Sequence, residues 1–154
     1  MRNTNLAFAV IFLFAVITAC EKEENGVDSG GMNSSYNDNE SHNAGQNCMS
    51  CHSSGGKGEG TFTVAGTVYN ASGSAVSPNA TVKLYTGAGG TGSLVKTIEV
   101  DGKGNFYTTN SIDFGTGLYV TVTGKSGSVS AMSSSITTGQ CNSCHNSSGR
   151  ITVN

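Results

Sequence analysis

From Thr61 onward, apolar residues recur at every second position and hold no sustained helical stripe. Phe62, Val64, Gly66 and Val68 alternate with polar neighbours, and Ala80, Val82 and Leu84 repeat the pattern. A period of two puts one set of side chains on one face of a β-strand. Further short runs follow at 94–100, 105–109, 118–123, 129–136 and 150–153. Between them stand turn clusters such as Asn70-Ala71-Ser72-Gly73, Gly87-Ala88-Gly89-Gly90 and Asp101-Gly102-Lys103-Gly104. About seven short strands over roughly ninety residues predict one antiparallel β-sandwich of immunoglobulin-like size, and no second domain.

Two pentapeptides, Cys48-Met49-Ser50-Cys51-His52 and Cys141-Asn142-Ser143-Cys144-His145, use four of five cysteines and two of three histidines. Cys-x-x-Cys-His is the attachment pattern of c-type haem. Its thiols add to the haem vinyl groups, and the adjacent His is placed to ligate iron. The expected cofactor is therefore two covalently attached haem c. Cys48, Cys51, Cys141 and Cys144 would hold the porphyrins, with His52 and His145 on the irons. Gly45-Gln46-Asn47 before the first copy parallels Gly139-Gln140 before the second. One haem-binding loop thus precedes the first strand and the other the last. If strands alternate in direction, both loops fall at one pole of the sandwich.

Two irons offer four axial positions, and the chain has three histidines. The segment His42-Asn43-Ala44-Gly45-Gln46-Asn47-Cys48 resembles stretches of multihaem cytochromes, which implies His42 as a distal iron ligand. Met132, nine residues before Cys141, is the best-placed thioether for the second iron, although within its run it reads more readily as a core filler. Water or a ligand from another subunit are the other options. The Ser, Gly and Asn around both motifs predict haems that are exposed, stacked on one another or covered by a partner. Exposure lowers the potential and opens the haem edge. One-electron transfer is the expected function, and an enzyme is not expected. The expected partners are redox proteins or extracellular electron acceptors, and a haem-stacked oligomer fits the same exposure.

The chain starts with a single charge at Arg2 and an apolar run over 6–17. That run falls short of the roughly 20 residues a membrane span needs, and reads as a secretory signal. Its end, Ile17-Thr18-Ala19-Cys20, resembles the lipobox of bacterial lipoproteins, which implies cleavage before Cys20 and a lipid on Cys20. An ordinary signal peptide with an incidental Cys20 is the plainer alternative. The following Glu21-Lys22-Glu23-Glu24-Asn25 is similar to the surface-export signal of Bacteroidota lipoproteins. The expected location is the bacterial envelope, lipid-anchored at the outer membrane on its periplasmic or cell-surface side. The division is 1–19 signal peptide, 20–46 flexible acidic tether and 47–154 β-sandwich with both motifs. Residues 25–46 have almost no aliphatic side chain, so burial cannot offset their ordering entropy.

Six of the ten acidic residues lie between Glu21 and Glu40, and the formal net charge is −2. No basic patch suits nucleic acid. Gly66-Thr67-Val68-Tyr69, Pro78-Asn79-Ala80-Thr81-Val82-Lys83-Leu84, Asp101-Gly102-Lys103-Gly104-Asn105-Phe106 and Leu118-Tyr119-Val120-Thr121-Val122 together resemble the carboxypeptidase regulatory-like β-sandwich. That likeness implies fold and no activity. The rival reading is a lipid-anchored β-sandwich binding or adhesion module whose Cys-x-x-Cys pairs bind zinc or form disulfides. Zinc has no need of a His after each second Cys, and vicinal Cys-x-x-Cys disulfides make strained staples.

Overall fold

The computed structural model describes residues 30–147 and 149–154. Strand β1 (Val64–Asn70) is buried along nearly its whole length. Val64 and Val68 enter the core, so alternation sends Ala65, Thr67 and Tyr69 to the opposite face. That face is covered as well, since all three are buried.

The other strands are β2 (Thr81–Gly87), β3 (Thr91–Glu99), β4 (Asn105–Thr108), β5 (Tyr119–Thr123), β6 (Val129–Ala131), β7 (Gly139–Gln140) and β8 (Ile151–Val153). A four-residue helix, α1 (Cys141–Cys144), separates the last two. One sheet runs β3-β2-β5-β6, antiparallel throughout. In the other, β1 pairs with antiparallel β4 and with β7 and β8 in parallel. Val64, Val68 and Phe106 from this sheet meet Val82, Leu84, Ile98, Val120 and Val122 from the first in a single core. Two sheets closed on one core make a β-sandwich.

The described residues thus form eight strands instead of about seven, and one edge of β1 is parallel. β7 is too short to show a period in sequence, which is why the count differs. β7 pairs with Val64 and Ala65, and β8 with Val68 to Asn70. Residues 141–150 therefore bulge out of a single interrupted edge strand, opposite Gly66 and Thr67. Counted with β7 as one interrupted seventh strand, β8 runs parallel to β1, as alternation requires. The second pentapeptide nevertheless sits on the flank of β1, and not at a pole of the sandwich.

The flexible tether expected through Gln46 does not describe residues 30–46. Ser34 is buried, donates to Glu99 O at 2.5 Å and accepts from the Tyr107 N–H at 2.9 Å. Tyr36 N–H donates to the Glu99 carboxylate, and its hydroxyl meets Thr81 Oγ1 at 2.6 Å. Gly45 N–H donates to Thr67 Oγ1, and Asn105 donates to Ser41 Oγ. The segment is held by polar contacts, which an argument from apolar content cannot foresee. It is the cover that buries the outer face of β1. The expected signal peptide (1–19), Cys20 and the first part of the tether lie outside the described residues.

Candidate functional site

Cys48–Ser50 form a 3-10 turn whose start is capped by Asn47, its side chain accepting from Met49 N–H at 3.2 Å. Cys51 and His52 follow, and the His52 Nδ1 lies 2.7 Å from Glu59 O. A carbonyl oxygen only accepts, so Nδ1 carries the proton and Nε2 keeps a free lone pair. The His52 ring stacks on Phe62 at 4.1 Å with planes 4° apart, and Phe62 stacks on Tyr107 at 4.7 Å. A Cβ at Gly58 would come within 2.7 Å of the His52 ring, so a side chain there would displace it. The His42 ring centre lies 5.9 Å from that of His52. Cys48, Cys51, His52 and His42 border one cavity of about 560 Å³, together with Met32, Glu40, Lys57 and Glu59.

The second motif has the same chemistry on different support. Its His145 Nδ1 lies 2.7 Å from Gly149 O, which again leaves Nε2 as the free nitrogen. Cys141 packs against the core. A Cβ on Gly66 would fall 2.6 Å from Phe106 and 2.9 Å from the Cys141 Cβ, so only glycine lets this helix lie against β1. Cys141, Cys144 and His145 border a second cavity of about 450 Å³, with Phe106, Met132, Ile136 and Ile151 among its walls. Apart from His145, Arg150 is its one titratable lining side chain outside the motif's own thiols. Both volumes suit cofactor sites, which run roughly 300–1,000 Å³. The Ser, Gly and Asn neighbours pointed to haems without an apolar enclosure. The second cavity takes an apolar wall from distant strands, through Phe106 of β4 and Val120 and Val122 of β5.

The motifs are tied together. Asn47 donates to Gln140 Oε1 at 3.3 Å. Asn142, 5 % exposed, accepts from the Thr67 N–H at 3.0 Å and donates to Gln46 O at 2.8 Å and Thr67 Oγ1 at 3.0 Å. Its carboxamide fills the rung that the gap between β7 and β8 leaves open. Asn142→Ala strands the buried Thr67 N–H and Gln46 carbonyl. The expected cost is about 2–3 kcal/mol, a fall in Tm of roughly 5–15 °C by differential scanning calorimetry. A melt within about 2 °C of the parent would show that the rung bears no load.

Burial pushes the Cys141 thiol up to about 12, opposed by its backbone hydrogen bond and assisted by the Cys48 and Cys144 charges. Cys48 is also raised, first by burial and then by Asp101 against a backbone bond that lowers it. These surroundings disfavour the free thiolates of Cys48 and Cys141, the form that disulfide exchange needs. A thioether carries no charge and suits them. Among the described residues, no three His, Cys, Asp or Glu side chains gather as a metal site. The two motifs face separate cavities, which favours two separate groups over one shared ion.

The structure thus brings His42 to His52, and Met132 to Cys141, Cys144 and His145. It adds residues that the pentapeptides do not flag: the Phe62–Tyr107 stack and the Asn142 clamp. Asn142 occupies a chemically free position of its motif, so no pattern singles it out. The one hint is the Gly-Gln pair that precedes both copies. No protein-family model, curated protein or solved structure matches the chain.

Proposed function

We propose that the chain is a dihaem c-type cytochrome of the bacterial envelope that passes single electrons between redox partners. The observation that carries this reading is the same at both motifs. Each His lines a cavity with its own two cysteines and turns Nδ1 to a backbone carbonyl. That is the set a covalently held haem requires, with Nε2 kept for iron. Bound haem c supplies a one-electron iron couple. Cys48, Cys51, Cys141 and Cys144 would anchor it by thioethers. Phe62 holds the His52 ring in plane, and Asn142 keeps the two motifs adjacent. His42 would close the first iron's remaining position, which suits electron exchange and leaves no seat for a substrate.

The sandwich is read as carboxypeptidase regulatory-like, of immunoglobulin-like size, on the turn glycines and core aliphatics quoted above. Its partners would be one-electron proteins or an extracellular acceptor, with Cys20 carrying the lipid at the outer membrane. The support for the lipid is the Ile17-Thr18-Ala19-Cys20 ending alone.

The test is a pyridine haemochrome spectrum with intact mass, on protein made in a host that matures c-type cytochromes. A c-type band and a mass increase of two haems are expected. Colourless protein carrying zinc, or with its cysteines oxidised, would overturn the reading and leave a tethered β-sandwich binding module.

A further inference from the structure

We propose that the two haem sites are built unequal, the second at higher potential than the first, so that electrons cross the protein in one direction. The inference rests on the haem reading above. Three independent features of the cavities act with the same sign.

The first is the side chain offered opposite each proximal His. Two imidazoles sharing one metal, each nitrogen about 2 Å from it, have ring centres roughly 6 Å apart. His42 and His52 are 5.9 Å apart. The second cavity has no further His, and its ligand-type side chain is Met132, which shares walls with His145 and both cysteines. Met132 is held there by its backbone N–H, which donates to Val120 O at 2.9 Å. A thioether in place of an imidazole raises an iron potential. Met32 also borders the first cavity, but its sulfur packs against Gly60, where an added Cβ would lie 2.7 Å from it.

The second feature is the wall. Phe106, Val120, Val122, Ile136 and Ile151 line the second cavity, whereas the first sets Phe62 and Tyr107 among Glu40, Asn47, Lys57 and Glu59. A more apolar wall disfavours the more charged oxidised iron.

The third is charge. Among the described residues no carboxylate lines the second cavity, and its Arg150 turns the guanidinium to Gly73 O and to the Tyr69 ring at 4.3 Å, neither of which lines it. The first carries Glu40 and Glu59 against Lys57. Behind it lies Asp101, fully buried, with Oδ2 lacking a partner among the described residues. Carboxylates around the first cavity favour its oxidised iron.

The electron balance is simple. A one-electron donor protein of low potential reduces the first site. That electron passes to the second, which oxidises the first site by one electron and reduces the second by one. A one-electron acceptor of higher potential then removes it, and no bond or proton changes place.

A spectroelectrochemical titration of the mature holoprotein tests this. Two one-electron waves are expected, with reduced-to-oxidised ratios differing at least a hundredfold at any one potential, about 120 mV. Met132→Leu should move only the upper wave, downward by at least tenfold in that ratio. Leu keeps the volume of Met, so the fold should be retained, checked by a circular dichroism melt. His42→Ala should change only the lower wave. A Cys141→Ser/Cys144→Ser chain should show the lower wave alone. Two haems titrating together would overturn the inequality, an upper wave indifferent to Met132→Leu would overturn its assignment to the thioether, and either would leave the cytochrome reading intact. A protein that takes up no haem would overturn both.

Discussion

A chain with Cys141 and Cys144 both changed to serine is expected to leave maturation with one haem instead of two. Its c-type absorbance per chain should halve, and its mass should fall short of the parent by one haem. The remaining spectrum should be that of the first site, because Cys48, Cys51 and His52 face a cavity of their own. The effect is large because serine cannot form the thioether, and Cys141 is the half-buried one of the pair, packed against the core. Changing Cys48 and Cys51 to serine should give the complementary spectrum. Loss of both haems from either variant would mean that the Asn47–Gln140 and Asn142–Gln46 contacts make attachment at one motif depend on the other.

Phe106→Ala should cost about 3–5 kcal/mol, the range for emptying a fully buried aromatic site, and lower Tm by roughly 10–20 °C. Phe106 is 1 % exposed and lies in the shared core. The same ring walls the second cavity and lies beneath Gly66 and Cys141. The substitution should therefore also perturb the spectrum of the second site and spare that of the first. Calorimetry together with the haem spectrum reads both effects. A Tm within a few degrees of the parent would mean that the core closes over the gap.

The strands most legible in sequence are those with one wet face and one dry face, such as β2, where Val82 and Leu84 are buried and Thr81, Lys83 and Tyr85 are half-buried. β1 is legible for a different reason, its valines, since its outer face is dry as well. What covers that face, residues 32–46, is polar and without period, so no pattern announces it. Its partners, Glu99, Thr81 and Thr67, lie far along the chain and meet it only once the sheets have formed. The candidate site divides in the same way. Cysteines and histidines in a fixed pentapeptide are visible because the chemistry demands those atoms at that spacing. Walls such as Phe106 and Val122, and the Asn142 rung, depend on which strands become neighbours.

The cover over β1 also sets a distance. Because the chain is fastened to the sandwich from about Met32 onward, a lipid on Cys20, were it carried as proposed, would be separated from that fastening by residues 21–31. Fully extended, that stretch spans at most about 40 Å. With the lipid in place, the first haem site would stay within a few tens of ångströms of the bilayer surface, with no long leash on which to search. A donor would then have to be another resident of the same membrane, or something that comes to it, and longer journeys would fall to whatever collects the electron at the second site.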